Sequence, residues 1–357
     1  MEKSCLLINL FNKRKEIILK LFISLYLVVI FFNKEYITIM HFKSLNFGDN
    51  LNSFILSSIA HRKIKYYNTK KIMQNDSGNI IKLDEIAKTD LFFIGSILAN
   101  LCDWSFSFQN ISNKYKSIIT KWYFKIYDYF HPLIIFGSGF IKNDSKTESY
   151  VRNLKIIAVR GNITLQRLKS NGIKVDNDIV LADPGILSPF LIQLNNTNIY
   201  KKNYELCVIP HSIDKGNQLI YKNIKVNQFI ILNVLENPIK FIKSLVQCKR
   251  VLSSCLHGLI VSDSLGIPNM RIILSNKIIG GNYKFIDYYS AFNLELPFSF
   301  DLRKNNFTQN DLRLIDINHK ISKDLIFRKQ CQLLKKFPFK LNRQFIYIKN
   351  INCKNNI

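Results

Sequence analysis

The feature that most constrains the fold of this chain is a series of short apolar runs, each ending at a glycine or a polar residue. Seven such runs alternate with segments of helical periodicity and cover residues 36–42, 91–94, 133–136, 156–159, 179–182, 205–209 and 251–254. Short continuous apolar runs, rich in β-branched residues, are typical of buried parallel strands in βα units. The sequence therefore predicts an α/β protein with a parallel sheet.

The ends of these runs indicate where a ligand binds. In open parallel sheets, ligands bind outside the carboxyl ends of the strands. The glycines and polar residues that follow the seven runs are therefore expected to gather at one edge and to form the functional site.

The segment 250–268 carries the most informative of these ends. Its apolar run finishes at Ser253 and Ser254, and a helical pattern begins with His257 and Gly258. The first N–H groups of a helix have no intrahelical partner, and the helix dipole adds positive charge there, so a phosphate or carboxylate binds well. The alternative is a buried βα turn whose histidine only packs.

The charge of the chain favours anionic partners. Its 51 Lys+Arg against 25 Asp+Glu give a formal net charge of +26. This favours phosphorylated substrates or an anionic membrane surface. A solvated basic surface explains much of the excess, since many lysines lie in Lys- and Asn-rich stretches. No zinc-finger, RNA-binding or basic-zipper pattern accompanies the charge, so no specific nucleic acid is expected as a partner.

The cysteine pattern predicts neither disulfides nor a thiolate metal site. Seven cysteines, at positions 5, 102, 207, 248, 255, 331 and 353, are scattered and never form a Cys-x-x-Cys pair. This spacing fits a reducing cytosol. Cys255 is either a nucleophile or a small buried residue, and burial is the favoured interpretation because free cysteine is commonly buried.

The length of 357 residues allows two domains, and the chain divides into four parts. Residues 1–33 hold an apolar segment, 17–32, that is shorter than the ~20 residues of a full membrane span. It lacks a signal-peptide cleavage site, so we expect a weak anchor at the inner face of the cell membrane, or a poorly ordered extension, on a cytoplasmic protein. Two domains, 34–195 and 204–300, are separated by a polar linker, and a charged helical tail, 301–357, is expected to cross back.

Eight blocks of the sequence resemble, in order, those of the polysaccharide pyruvyl transferase family. They are residues 46–52 (NFGDNLN), 95–98 (GSIL), 136–140 (FGSGF), 159–164 (VRGNIT), 183–184 (DP), 209–211 (IPH), 253–258 (SSCLHG) and 284–289 (KFIDYY). The likeness is greatest to the branch that acts on bacterial exopolysaccharides. Ser53 departs from the proline common in that branch and Cys255 from its serine or arginine, which leaves the donor and acceptor preference open.

This resemblance implies an architecture and a reaction. The fold would be two Rossmann-like domains facing a cleft, as in glycosyltransferase-B folds. Phosphoenolpyruvate would be the donor substrate and a sugar diol the acceptor, in a bacterial surface polysaccharide or its lipid-linked oligosaccharide precursor. The product would be a pyruvate ketal. No cofactor and no metal ion are expected.

The resemblance and the strand-end positions together nominate the site residues. The predicted catalytic residues are His257 for proton transfer, Arg160 for bidentate capture of an anion, and Asp49 as a base or a hydroxyl acceptor. The predicted donor-binding residues are Arg160, Lys284, Ser253, Ser254 and Gly258. The predicted acceptor-binding residues are Asp49, Asn50, Gly95, Ser96, Gly137, Ser138 and His211.

Several of these residues have structural alternatives. Arg160 could instead pair with Asp183, and Lys284 could form a surface salt bridge. Asp49 could be a helix N-cap. His211 could be a packed turn residue.

Two other functions compete with pyruvyl transfer. A glycosyltransferase that uses a nucleotide sugar would suit the same two-domain architecture. A noncatalytic membrane-surface scaffold would use the basic charge and the apolar segment, but it leaves the strand-end motifs without a purpose.

Overall fold

Two parallel sheets form the framework of the protein. The computed structural model describes residues 36–41, 47–68, 90–92, 131–143, 153–192 and 201–353. The strands are β1 Tyr36–His41, β2 Lys63–Asn68, β3 Leu91–Phe92, β4 Leu133–Ser138, β5 Leu154–Val159, β6 Val180–Leu181, β7 Tyr204–Ile209, β8 Ile224–Lys225, β9 Phe229–Ile231, β10 Cys248–Ser253, β11 Asn269–Ile273, β12 Ser299–Asp301 and β13 Phe307–Thr308. The predicted α/β class with parallel sheets is confirmed.

Helices connect and flank these strands. The α-helices are α1 Phe47–Ile59, α2 Asn162–Ser170, α3 Gln218–Asn223, α4 Pro238–Leu245, α5 Leu256–Ser264, α6 Tyr283–Ser290, α7 Leu312–Asn318, α8 Lys323–Lys336 and α9 Arg343–Tyr347. Short 3₁₀ segments cover Pro184–Ile192, Ser212–Asp214 and Gln309–Asp311, and a π-helical turn covers Ile348–Asn352.

The two large sheets share one strand order. The first has six strands in the order β2-β1-β3-β4-β5-β6, and the second has five in the order β12-β11-β10-β7-β9. Every pairing within them is parallel. In each sheet the second strand in sequence lies on one side of the first strand, and the later strands lie on the other side. The topological switch points are therefore between β1 and β3 and between β7 and β10. Crevices at such points are where parallel sheets bind ligands.

Each of the seven predicted apolar runs overlaps a strand, but the structure has further strands. The helical pattern that begins around His257 is confirmed as α5. Strands β2, β8, β12 and β13 were not predicted. Strands β2 and β12 lie at the edges of the two large sheets, and β8 and β13 pair with each other.

One apolar core joins the two halves of the chain. A single cluster of buried side chains includes Ile39 of β1, Leu51 of α1, Ile209 of β7 and Ile260 of α5. Helices α1 and α5 pack against the 3₁₀ segment Pro184–Ile192. Since burial of apolar surface is the main stabilising contribution in folding, this shared core holds the ends of the two sheets close together.

The C-terminal residues lie against the first half of the chain. The side-chain amide of Gln330 in α8 donates to the carbonyl of Ile186 at 2.7 Å. The Phe337 ring packs edge-on against Phe136 of β4, with centroids 5.6 Å apart. Residues after the second sheet thus return to the first, while the four-part division of the chain stays a prediction.

The cysteine prediction was wrong. Cys207 is bonded to Cys248, and Cys331 is bonded to Cys353. Cys207 lies in β7 and Cys248 begins β10, so cysteines that are scattered in sequence lie side by side on neighbouring parallel strands. The inference of a reducing compartment loses this support. Cys255 remains a thiol and is buried, as expected.

The membrane prediction falls mainly on residues outside the described ranges, because the apolar segment 17–32 is among them. None of the helices within those ranges combines the length and the apolar content that crossing a bilayer requires.

Candidate functional site

The site is built where strand ends from both sheets meet. His257 lies in the first turn of α5, which follows β10, and its imidazole ring packs directly against Gly48 in the first turn of α1. A side chain at position 48 would overlap the ring. The absence of a Cβ therefore allows the helix that follows β1 to approach the helix that follows β10.

His257 has an unsatisfied ring nitrogen. Its Nε2 is buried and finds no hydrogen-bond partner among the residues that the structure describes. Burial lowers the pKa of His257 to about 3, and the positive charges of Lys284 and Arg160 act in the same direction. The imidazole is therefore neutral at pH 7, with a nitrogen ready to accept or donate one hydrogen bond.

Lys284 supplies positive charge beside both site histidines. It lies in α6, is only 9% exposed, and its Nζ is 5.7 Å from the centroid of the Phe285 ring. Its charge also contributes to lowering the pKa of His211. The alternative of a surface salt bridge is wrong, because this side chain is buried.

Arg160 pairs with Asp287 rather than with Asp183. Its Nε donates to Asp287 Oδ2 at 2.8 Å, and its Nη2 donates to the carbonyl of Phe140. The guanidinium lies against Gly139, where a Cβ would overlap it. Two edges of the guanidinium are therefore occupied by protein groups, which leaves less of it for a substrate than the sequence predicted.

Asp287 also holds the start of α2. Its Oδ1 accepts from the backbone N–H of Thr164 at 2.8 Å, and its Oδ2 accepts from the Thr164 hydroxyl at 2.7 Å. Gly161 lies against the backbone carbonyl of Asp287 with no room for a side chain. The sequence placed Asp287 in a recognised block without a role, and the presence of a carboxylate in that block was the available signal.

Asp183 is a buried carboxylate that follows β6. Its Oδ1 accepts from the backbone N–H of Gly185 at 2.8 Å, whereas its Oδ2 is buried and receives no hydrogen bond from any described residue. Burial raises the pKa of Asp183 to about 6 despite the nearby charge of Arg160. Strand-end position singled out this residue in the sequence, but no role was assigned to it.

A hydrogen-bond network supports His211 at the end of β7. The backbone N–H of His211 donates to Ser254 Oγ at 2.9 Å, and Ser254 Oγ donates to Asp214 Oδ2 at 3.0 Å. The other oxygen of Asp214 accepts from Ser275 Oγ at 2.6 Å. Sequence reasoning missed Asp214, because nothing in its local pattern indicates that the chain folds it behind Ser254.

Ser253 and Gly258 shape the turn between β10 and α5. The Ser253 hydroxyl accepts from the backbone N–H of Cys255 at 3.0 Å and lies 3.0 Å from the carbonyl oxygen of Ile209. Gly258 packs against this hydroxyl. Both predicted phosphate-ligand serines thus have protein partners and stabilise the turn that carries His257.

The remaining predicted residues have varied positions. Asp49 and Asn50 lie in the first turn of α1, and since the helix begins at Phe47, Asp49 is not its N-cap. Gly137 has φ +83° and packs against Pro184, and Ser138 is fully buried beside it. Gly95 and Ser96 lie outside the described residues.

The site groups identified in the described ranges suit hydrogen bonding and proton transfer. Across those ranges, no group of three or more His, Cys, Asp or Glu side chains is arranged to hold a metal ion. The histidines, the buried lysine and the buried carboxylates instead lie around the ends of β5, β6, β7 and β10.

Comparison with known proteins identifies the family. A sequence model described as polysaccharide pyruvyl transferase matches residues 16–276. An uncharacterized protein, L143, of Acanthamoeba polyphaga mimivirus is 30% identical over 234 residues, which cover 59% of this chain and 76% of that protein. A crystal structure of a functionally uncharacterized Klebsiella pneumoniae protein aligns with 77% of this chain and 93% of its own, at 16% identity and a TM-score of 0.37. Because the family model matches well over half of its length, the chain belongs to the polysaccharide pyruvyl transferase family.

Proposed function

We propose that this protein transfers pyruvate from phosphoenolpyruvate to two hydroxyls of a sugar and forms a pyruvate ketal. The acceptor is a surface polysaccharide or its lipid-linked precursor. Family membership indicates pyruvyl transfer to a polysaccharide, and the proposal adds the donor, the pair of hydroxyls and the ketal product. The observation that carries the proposal is the buried Nε2 of His257, which lacks a hydrogen-bond partner within the described part of the chain and lies beside the charge of Lys284. Leaving a buried polar atom unpaired costs about 1–3 kcal/mol, and a substrate oxygen would remove that cost.

The proposed architecture is a pair of Rossmann-like domains that face a cleft in the manner of glycosyltransferase-B folds. The proposed domain bounds are 34–195 and 204–300. The shared strand order supports this, because each sheet then has its own switch-point crevice. The contact of Gly48 with His257 supports a cleft to which both halves contribute.

The reaction needs two protons to move. The two sugar hydroxyls each lose a proton as their oxygens bond to C2 of phosphoenolpyruvate. One proton ends on the methylene carbon, which becomes a methyl group, and the other leaves with inorganic phosphate as the C2–O bond breaks. His257 is neutral before substrate binds, and a bound phosphate dianion favours its protonated form, so we propose that it carries a proton between a sugar hydroxyl and one of these acceptors. General acid–base catalysis of this kind typically contributes about 10²–10⁴-fold.

The donor anion binds at the start of α5. The first N–H groups of this helix have no intrahelical partners, and the helix dipole favours negative charge there. Lys284 is the principal cation of the site, and Arg160 contributes charge while its guanidinium holds Asp287. The turn built by Ser253, Ser254 and Gly258 sets the position of the start of α5 and of His257. Asp49 and Asn50, in the first turn of α1, are proposed to face the acceptor.

Transfer of label from phosphoenolpyruvate tests the proposal. The protein is incubated with carbon-labelled phosphoenolpyruvate and a panel of oligosaccharides with free vicinal or 4,6-diols. We expect acid-labile label on the sugar and one phosphate released per label. His257→Asn should abolish transfer, whereas Arg303→Gln should not, because its partners Asp301 and Asn276 are not proposed site residues. Absence of phosphoenolpyruvate binding by calorimetry, with tight binding of a nucleotide sugar instead, would support the glycosyltransferase alternative.

A further inference from the structure

The hydrogen bonds of His211 fix which of its ring nitrogens carries the proton. His211 caps the 3₁₀ segment Ser212–Asp214, and its Nδ1 accepts from the backbone N–H of Ile213 at 3.2 Å. A backbone N–H only donates, so Nδ1 must present a lone pair. In a neutral imidazole the proton then resides on Nε2.

The ring is neutral at the pH of ordinary enzyme assays. Burial lowers the pKa of His211 to about 4, and the charge of Lys284 adds to this effect, while Asp214 opposes it. His257, a neutral neighbour at pH 7, does not change this balance. His211 is therefore a hydrogen-bond donor through Nε2 and not a cation.

The backbone of His211 is held firmly at the end of β7. Its N–H donates to Ser254 Oγ, and its carbonyl accepts from the backbone N–H of Asp214 at 2.8 Å. Ser254 and Ser275 both donate to the carboxylate of Asp214. The hydrogen bonds that described residues make to His211 thus use its backbone and Nδ1, which leaves Nε2–H for a ligand.

We propose that His211, in its neutral Nε2–H form, donates a hydrogen bond to an oxygen of the anionic donor, beside Lys284. This inference rests on the proposed function and moves His211 from the acceptor side of the site to the donor side. The parallel pairing of β7 with β10, together with the hydrogen bond from the His211 N–H to Ser254 Oγ, places His211 beside the turn that leads to His257. The charge of Lys284, which lowers the pKa of both histidines, agrees with this placement, because an anion bound there would face one cation and one N–H donor. A neutral imidazole donor stabilises negative charge on oxygen without transferring its proton.

Two substitutions separate the roles of the two ring nitrogens. In His211→Asn, the side-chain carbonyl replaces Nδ1 as acceptor for the Ile213 N–H, but no donor reaches the position of Nε2. In His211→Gln, the longer amide places an N–H near the position of Nε2 and loses the cap. If the Nε2 donor matters, His211→Gln should bind phosphoenolpyruvate within about threefold of the unsubstituted protein. His211→Asn should bind about tenfold more weakly, as expected for loss of a hydrogen bond to a charged group.

Nitrogen NMR of histidine-labelled protein measures the tautomer independently of ligand. The chain has six histidines, and the signal lost in His211→Gln identifies residue 211. We expect a protonated Nε2 and an unprotonated Nδ1 from pH 5.5 to 8. A protonated Nδ1, or equal affinity of the two variants for phosphoenolpyruvate, would overturn this inference alone. If the unsubstituted protein binds no phosphoenolpyruvate, the proposed function fails and the donor contact of His211 fails with it.

Discussion

Arg160 and Asp287 form an ion pair that is almost completely buried, with side chains 1% and 0% exposed and Nε to Oδ2 at 2.8 Å. Arg160 follows β5 of the first sheet, whereas Asp287 lies in α6, between β11 and β12 of the second. The pair therefore ties the two halves of the chain together beside His257 and Lys284. The pair contributes to the stability of the fold, and its carboxylate also holds the start of α2 through Thr164.

Replacing Asp287 with asparagine should destabilise the protein strongly. Arg160 would then be buried without its carboxylate, and breaking one side of a buried ion pair typically costs about 3–5 kcal/mol. The free energy of unfolding in urea measures this loss. The pair of Arg303 with Asp301, whose side chains are 32% and 16% exposed, gives the control, because Asp301→Asn should cost much less than the loss of the buried carboxylate. Similar losses in the two variants would contradict the structural role of the buried pair.

Gly48→Ala should impair function, although a change from glycine to alanine is normally well tolerated within a helix. Alanine in place of glycine usually stabilises a helix by about 1 kcal/mol, but here the added Cβ would overlap the His257 ring. We expect weaker phosphoenolpyruvate binding or slower transfer, with no gain in melting temperature. In a His257→Ala background the same change should be neutral or stabilising, because the obstructing ring is gone. Additive effects in this double-mutant cycle would contradict the contact.

The sequence predicts strands and their ends more reliably than the contacts between them. The ends at Gly48, Arg160 and His257 were recognised because turn glycines and polar residues interrupt apolar runs. The partner of Arg160 was not recognised, because Asp287 lies 127 residues away in sequence and only folding brings the two side chains together. The paired cysteines were missed for the same reason. Long-range pairing depends on strand order, which a single sequence does not specify.

The disulfide between Cys331 and Cys353 should stabilise the C-terminal residues against the rest of the chain. It closes a loop with a sequence separation of 22, for which the chain-entropy estimate is about 3 kcal/mol. The double variant Cys331→Ala with Cys353→Ala should therefore unfold at lower urea than the oxidised protein. Cys255→Ala, which removes a buried thiol, controls for lost packing. The interpretation fails if adding a reductant leaves the stability of the unsubstituted protein unchanged.

Asp183 should make the protein less stable as pH rises. Burial raises its pKa from 3.8 to about 6, so between these values the folded state holds a proton that the unfolded state has released. The stabilising contribution of the protonated form is complete below about pH 4 and is lost as pH rises through 6; a shift of about two units corresponds to about 3 kcal/mol.

Asp183→Asn removes this titration while keeping the side-chain oxygen that accepts from Gly185. The variant should be more stable than the unsubstituted protein at pH 7.5 and should lack its decline between pH 4 and 6. Asp324→Asn, at an exposed position of α8, is the matched control and should leave the decline in place. Urea unfolding across this pH range measures both curves. A less stable Asp183→Asn protein at pH 7.5 would mean that the ionised carboxylate is favoured by its neighbours, and that Arg160 outweighs the cost of burial.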